Sequence, residues 1–123
     1  MVYGEFTAFG QAQVTLTLRS DTGEESDITA VVDTGYMGFL MLPRSLAARL
    51  GLPQIEEEIL VMANGSYARF PVHEAVILWQ GEERVVAAHV SEGEALIGVD
   101  LLRDNVATLE FCDGGSVTIE PIQ

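Results

Sequence analysis

One carboxylate in this sequence has the setting that a water-activating acid requires. Asp33 follows an apolar run at residues 29–32 and opens the tripeptide Asp33-Thr34-Gly35. A second apolar run, residues 39–42, comes soon afterwards. Asp and Gly are also ordinary turn residues, so a plain surface turn is the alternative interpretation. Dense apolar runs on both sides are typical of buried strands, and they favour a carboxylate presented for acid–base chemistry.

A single carboxylate cannot do this work alone. Two carboxylates a few ångströms apart share a proton, because the pKa of one of them is driven up. One then accepts a proton from water while the other polarises a carbonyl group. Asp-Thr-Gly occurs twice, at residues 21–23 and 33–35. The first follows the polar end of a strand pattern and is expected to be a plain turn, and only the second follows an apolar run. The chain therefore supplies half of such a site, and two copies must meet to complete it.

A second motif, Leu96-Ile97-Gly98, lies well beyond the tripeptide, with a glycine-containing hairpin at Asn64-Gly65 between them. This order resembles the retropepsin-like aspartic proteases, in which Asp-Thr-Gly, a flap hairpin and an apolar-apolar-Gly motif opening a short helix follow one another. Residues 32–43 are similar to the signature of small single-domain cellular and bacterial members. The resemblance implies a mostly β fold, a closed or nearly closed retropepsin-like acid-protease β-barrel with one or two short helices. It covers nearly the whole chain and implies a single domain over residues 1–123.

The resemblance also implies roles for individual residues. The chain would be a homodimeric aspartic endopeptidase in which Asp33 of each subunit forms the catalytic pair. Thr34 would join the two loops by hydrogen bonds, and Gly35 would leave room for the substrate backbone. Neither a cofactor nor a metal is implied. The residues expected to bind the polypeptide substrate, in the cleft and the flap, are Met37, Gly38, Ala63, Asn64, Gly65, Ser66 and Tyr67.

Two other functions stay open: a non-catalytic peptide-binding or dimerisation module of the same fold, and a structural β subunit without a pocket. The chain departs from the family's pattern at two places. Retroviral members have several flap glycines, whereas here the hairpin has Asn64-Gly65, the strongest two-residue signal for a type I′ turn. Tyr36 follows the tripeptide, where retroviral members have a small residue and pepsin-like enzymes have Ser or Thr. Its ring either faces the interior or narrows the cleft, and we expect the first.

Charge and composition limit the classes of partner and the cellular location that the chain is expected to have. The formal net charge is −13 with six Lys and Arg in all, which cannot form the basic surface that nucleic acid requires. No apolar run approaches the length of a membrane span, and no secretory signal is evident. The lone Cys112 cannot form an internal disulfide and is expected to be a core thiol. These features predict a cytoplasmic protein without nucleic-acid or membrane partners.

Short strands and one helix are predicted to position the site. Val14, Leu16 and Leu18 alternate with polar residues, as in a strand with one buried face. A helix is predicted over residues 44–50, with Pro43 at its first position and Gly51 ending it. His73 and His89 lie in apolar strand patterns, where satisfied strand residues are expected rather than zinc ligands. Further strands are predicted at residues 28–32, 59–61, 68–79, 84–90, 107–111 and 117–119.

Overall fold

The computed structural model describes every residue, Met1–Gln123. The chain is mostly β-structure with two short helices, as the sequence predicts. The strands are β1 Val2–Phe6, β2 Ala12–Arg19, β3 Glu25–Val32, β4 Leu40–Pro43, β5 Gln54–Val61, β6 Tyr67–Trp79, β7 Glu82–Ser91, β8 Leu96–Ile97, β9 Asn105–Leu109 and β10 Ser116–Pro121. The helices are α1 Arg44–Leu50 and α2 Val99–Leu102.

The interior is built from strands that bury one face. In β2 the side chains of Val14, Leu16 and Leu18 are buried, and the residues between them lie nearer the surface. This confirms the alternation predicted from the sequence. Buried apolar residues of β3, β4, β6, β7, β8, β10 and both helices join those of β2 in one contiguous core. Each fully buried Leu or Val contributes about 1.5–3 kcal/mol to folding, so the alternation fixes which face of the strand is internal.

All ten strands belong to one sheet, in the order β5-β6-β7-β4-β8-β3-β2-β1-β10-β9. An additional antiparallel pairing of β2 with β6, in which Leu18 lies opposite Ile77, joins strands that are distant in that order. The six strands β6, β7, β4, β8, β3 and β2 therefore close into a ring. Strand β5 extends the sheet on one side, and β1, β10 and β9 extend it on the other, so β5 and β9 are the edges.

Three strands meet at the level of the tripeptide. Strand β3 runs parallel to β8, with Val31 opposite Leu96, and β8 runs antiparallel to β4, with Ile97 opposite Leu40. The loop of residues 33–39, here called the tripeptide loop, joins β3 to β4 and passes around the end of β8. The two motifs predicted from the sequence are therefore side by side.

Helix α1 follows β4 directly. Pro43 is its N-cap with extended backbone, one position earlier than predicted, where the missing N–H of proline costs nothing. Leu46, Ala47 and Leu50 are its buried residues. Gly51 ends it with φ 64°, the left-handed conformation that favours glycine. Neither helix has the length and apolar character needed to cross a bilayer.

Two local predictions are wrong. Asn64 and Gly65 do not form a type I′ turn, because of the two only Gly65 has a positive φ, 83°. The Gly65 N–H donates to the Met62 carbonyl at 2.9 Å and the Met62 N–H donates to the Ser66 carbonyl at 2.7 Å, which is a three-residue loop with a glycine bulge. Cys112 is exposed rather than in the core, because β9 ends before it and the chain turns there.

Candidate active site

Asp33 lies at the point where the chain leaves β3. Its backbone N–H donates to the carbonyl oxygen of Ile97 at 2.9 Å, which extends the β3–β8 pairing by one residue. Its Oδ1 accepts a hydrogen bond from the N–H of Gly35 at 2.8 Å. The carboxylate is therefore held in one orientation by its own turn, and Oδ2 has no hydrogen-bond partner within the chain.

Gly98 allows the tripeptide loop to pack against the start of α2. A Cβ at Gly98 would overlap the carbonyl oxygen of Gly38 and lie 2.6 Å from that of Tyr36. The N–H of Gly98 donates to the Phe39 carbonyl at 3.1 Å, and the N–H of Val99 donates to the Tyr36 carbonyl at 2.8 Å. The apolar-apolar-Gly motif thus has a steric reason: only a residue without a side chain permits this approach.

Asp33 opens into an apolar cleft of ≈210 Å³ between the tripeptide loop and the β5–β6 hairpin. Eight of the ten lining residues are hydrophobic, so charges in the cleft interact more strongly than they would in open water. The lining residues are Asp33, Gly35, Tyr36, Met41, Leu60, Val61, Met62, Ala63, Phe70 and Leu96.

The β5–β6 hairpin, here called the flap, brings part of the predicted substrate-binding set to this cleft. Ala63 lines the cleft together with Asp33. The exposed tip of the flap consists of Asn64, Gly65, Ser66 and Tyr67. These four residues do not line the cleft. Asn64 Oδ1 instead accepts hydrogen bonds from the N–H of Ser66 at 3.0 Å and from its hydroxyl at 2.6 Å, which holds the turn.

Met37 and Gly38 lie in a second cavity of ≈210 Å³. Leu60 lines both cavities, so the second cavity adjoins the cleft. Three titratable residues of the second cavity, none of them in the predicted site, are Glu58, His89 and Asp100. Met37 and Gly38 therefore lie beside the cleft but do not line it with Asp33.

The ring of Tyr36 is buried, with 8% of its surface exposed, which agrees with the interior orientation expected from the sequence. Its hydroxyl donates to the Leu40 carbonyl at 2.6 Å and contacts His89 Nδ1 at 2.5 Å. Burial, and after it the carboxylates of Glu58 and Asp100, raise the pKa of the phenol. Tyr36 is therefore uncharged, its hydroxyl is hydrogen-bonded within the chain, and the residue lines the cleft.

His89 is bonded through both ring nitrogens. Besides the contact of Nδ1 with Tyr36, its Nε2 lies 3.0 Å from Oε1 of Glu58. His73, the other histidine, uses Nδ1 to bond the Leu52 carbonyl at 2.8 Å. Sequence reasoning missed the contacts of His89 because its partners come from the tripeptide loop and from β5, and no local pattern reports that pairing.

Thr34 is exposed on the opposite side of the tripeptide loop. It borders a shallow cavity of ≈240 Å³ formed largely by apolar residues, including Phe6, Leu109 and Phe111. The rings of Phe6 and Phe111 pack edge to face with centroids 5.1 Å apart, yet Phe111 is 77% exposed. An uncovered apolar surface therefore lies beside Thr34.

Comparison with known proteins places this geometry in a familiar fold. No model of a protein family matches the sequence. An uncharacterized protein of Archaeoglobus fulgidus is 28% identical in an alignment 98 residues long, which covers 72% of this chain and 74% of that protein. The crystal structure of a retropepsin-like aspartic protease from Rickettsia conorii matches with a TM-score of 0.60 and 16% identity, over 98% of this chain and 90% of that one. At this identity the match shows a shared fold.

Proposed function

We propose that the protein is a homodimeric aspartic endopeptidase that hydrolyses peptide bonds through water activated by two Asp33 carboxylates, one per subunit. One observation carries the proposal. Asp33 has one oxygen fixed by the N–H of Gly35, has no partner in the chain for the other oxygen, and opens into an apolar cleft beneath a hairpin. The fold shared with the Rickettsia conorii protease supports it.

The two Asp33 carboxylates would share one proton, because two like charges a few ångströms apart cannot both ionise readily. The ionised carboxylate takes a proton from water, and the protonated one donates to the carbonyl of the scissile peptide. The apolar lining of the cleft strengthens both interactions by limiting water around them. Each proton transfer of this kind contributes about 10²–10⁴-fold to the rate.

A second copy of the chain fits the surface around Thr34. The exposed hydroxyl of Thr34 could bond the same loop of a partner, and the apolar surface at Phe6, Leu109 and Phe111 would be covered. Strand β9 is an edge of the sheet, with one row of backbone groups open to pairing. The net charge of −13 per chain opposes association, so the dimer should tighten with salt.

The alternative is a non-catalytic peptide-binding or dimerisation module of the same fold. One observation favours it. The hydroxyl of Tyr36 is engaged by Leu40 and His89, so the residue after the tripeptide does not bond the outer carboxylate oxygen as Ser or Thr could.

The substitution Asp33→Asn tests the endopeptidase. Asn retains an oxygen that can accept the Gly35 N–H, so the fold should persist by circular dichroism. Cleavage of casein or a peptide library should fall by about 10³-fold or more. A statine-type transition-state mimic should inhibit the parent protein.

The control is Asp113→Asn, which removes a charge from an exposed turn and should leave the rate unchanged. Cleavage by the Asp33→Asn protein at the parent rate would refute the aspartic mechanism. Dimerisation or peptide binding by the parent without any turnover would favour the non-catalytic module.

A further inference from the structure

A line of three side chains connects the tripeptide loop to the flap. Tyr36 comes directly after the tripeptide, and its hydroxyl contacts Nδ1 of His89 on β7. Nε2 of His89 lies 3.0 Å from Oε1 of Glu58 on β5, the outer strand of the flap. His89 is 5% exposed, whereas the side chain of Glu58 is 48% exposed. We call these three residues the flap latch.

Counting protons identifies the charge state in which every contact of the latch can form. The carbonyl oxygen of Leu40 only accepts, so the single phenolic proton of Tyr36 goes to it. The phenolic oxygen must then accept the Nδ1–H of His89. The carboxylate of Glu58 also accepts, so Nε2 must carry a proton as well. With Glu58 ionised, all the bonds coexist only when His89 is an imidazolium.

The other charged groups around the ring of His89 do not offer Glu58 a competing cation. Asp100 of α2 lines the same cavity and is paired with Arg103 at 3.1 Å. Strand β6 presents the uncharged ring of Phe70, 6.4 Å from that of His89, and β4 has no charged residue. Glu56, on the same face of β5 as the latch carboxylate, is exposed. On β7, Glu82 and Glu83 lie at the opposite end of the strand. The guanidinium of Arg84 lies 5.9 Å from the centroid of the Phe39 ring and forms no ion pair with Glu58.

Glu58 is placed at the base of the flap, where one bond can control the hairpin above it. Phe70 lies opposite Glu58 in the β5–β6 register and lines the cleft with Asp33. Leu60, two residues further along the same face, lines both cavities. Release of Glu58 therefore loosens the strand that carries one wall of the cleft.

We propose that protonated His89 holds the flap over the cleft through Glu58, and that loss of the His89 proton releases the flap. The bare Nε2 lone pair would then face a carboxylate, which is repulsive. The bond to Glu58 is the one that breaks, because that half-exposed carboxylate can be hydrated while Tyr36 stays buried. The flap is therefore closed while both ring nitrogens of His89 carry protons, and it opens once Nε2 has lost its proton.

The role of His89 and Glu58 as positioning residues for catalysis rests on the proposed endopeptidase function, but the latch itself does not. The latch is tested by amide hydrogen exchange of residues 59–68 in the full chain, as protection factors at about pH 5 and about pH 8. Protection in the parent protein should be about three- to tenfold higher in acid. Unchanged protection between the two pH values would overturn the proposal.

Two substitutions on β5 make the test specific. Glu58→Gln should remove the pH difference, because the amide can accept from a protonated Nε2 or donate to a bare one. Glu57→Gln removes the same charge from the opposite, exposed face of the strand and should keep the difference. Equal behaviour of the two variants would overturn the latch.

His89 can be followed without substitution, which avoids replacing a buried residue. The chain has two histidines, and His73, bonded to the Leu52 carbonyl, is the internal reference. Ring ¹⁵N shifts of His89 should show both nitrogens protonated in acid, and their transition should coincide with the change in flap protection. A flap transition that follows a different titration would contradict the proposal.

Cleavage kinetics separate the latch from the proposed function. If the endopeptidase is active, Glu58→Ala should raise KM more than it lowers kcat, and it should flatten the pH dependence of KM, because the flap no longer closes in acid. An unchanged pH dependence of KM would contradict the positioning role. If no variant cleaves, the endopeptidase fails, while the exchange measurement still decides whether the latch exists.

Discussion

The backbone N–H of Asp33 and the carbonyl oxygen of Ile97 are hydrogen-bonded at 2.9 Å, so the two motifs of the sequence are joined directly. The bond extends the parallel pairing in which Val32 lies opposite Ile97. The direction of the carboxylate therefore depends on how closely the tripeptide loop packs against the end of β8. The absence of a side chain at Gly98 allows this close packing.

Gly98→Ala should destabilise the protein by about 1–3 kcal/mol, because the new Cβ would overlap the Gly38 carbonyl and force the loop apart. Urea denaturation followed by circular dichroism measures the loss. Gly93→Ala is the matched control, since the nearest atom to its Cβ is Ser91 Oγ at 3.7 Å. Equal stability of the two variants would show that the close approach at Gly98 is not required.

Thr34→Ala should weaken the proposed dimer. Each subunit would lose a hydrogen bond worth about 1 kcal/mol, so the dissociation constant should rise by roughly 30-fold for the two together. Sedimentation equilibrium at high salt measures it. Thr29→Ala, an exposed change on β3, should leave the constant unaltered. A parent protein that stays monomeric at roughly tens of micromolar would count against the dimer.

Tyr36 should make the fold sensitive to strong alkali. Burial raises the pKa of its phenol above the ordinary value of 10.0, so the folded chain keeps a proton that the unfolded chain releases. The stability this contributes is complete below about pH 10 and is lost as the pH rises through the folded value. All six basic residues are arginine, so no lysine titration obscures the effect.

The alkaline effect is measured as the free energy of unfolding against pH. Tyr36→Phe should flatten the decline above about pH 10, although it should cost about 1 kcal/mol at neutral pH through the lost hydrogen bond. Tyr67→Phe, at the exposed flap tip, should leave the curve as it is. If the free energy of unfolding of Tyr36→Phe declines as steeply as that of the parent, another group is responsible for the decline.

The cleavage rate should follow a bell-shaped pH curve centred below neutrality. A shared proton requires the Asp33 pair to be singly ionised, so the rate falls when the pair gains a second proton or loses the first. High ionic strength should be held fixed to screen the repulsion between two chains of charge −13. A rate that keeps rising past about pH 8, or activity abolished by a chelator, would indicate different chemistry.

The parts of the fold that could be predicted are those with a local pattern. The alternation of Val14, Leu16 and Leu18 is enough to predict β2. Pro43 and Gly51 are enough to predict where α1 begins and ends. In β5 the first half was missed, because three consecutive glutamates conceal an edge strand that is exposed on both faces. Burial patterning carries no signal for a strand that buries neither face.

The long-range contacts of the site could not be predicted. Tyr36 and His89 are 53 positions apart, and His89 and Glu58 are 31 apart; their meeting depends on the registers of several strands together. The prediction of a type I′ turn at Asn64-Gly65 was wrong for a related reason. Loop length is set by the pairing of Val61 with Tyr67, which leaves room for a bulge that the dipeptide alone does not reveal.

Strand β6 belongs both to the flap and to the ring of six strands. Its later residues are hydrogen-bonded to β7 and, at residues 76–78, also to β2, whereas residues 67–71 pair with β5 alone. The flap is therefore anchored to the rest of the sheet only at its base, near Pro71, and its other end is free. A small change of angle near Pro71 displaces the far end of the hairpin most. Residues around Pro71 should therefore govern how wide the cleft can become, and substitutions at the tip should have only local effects.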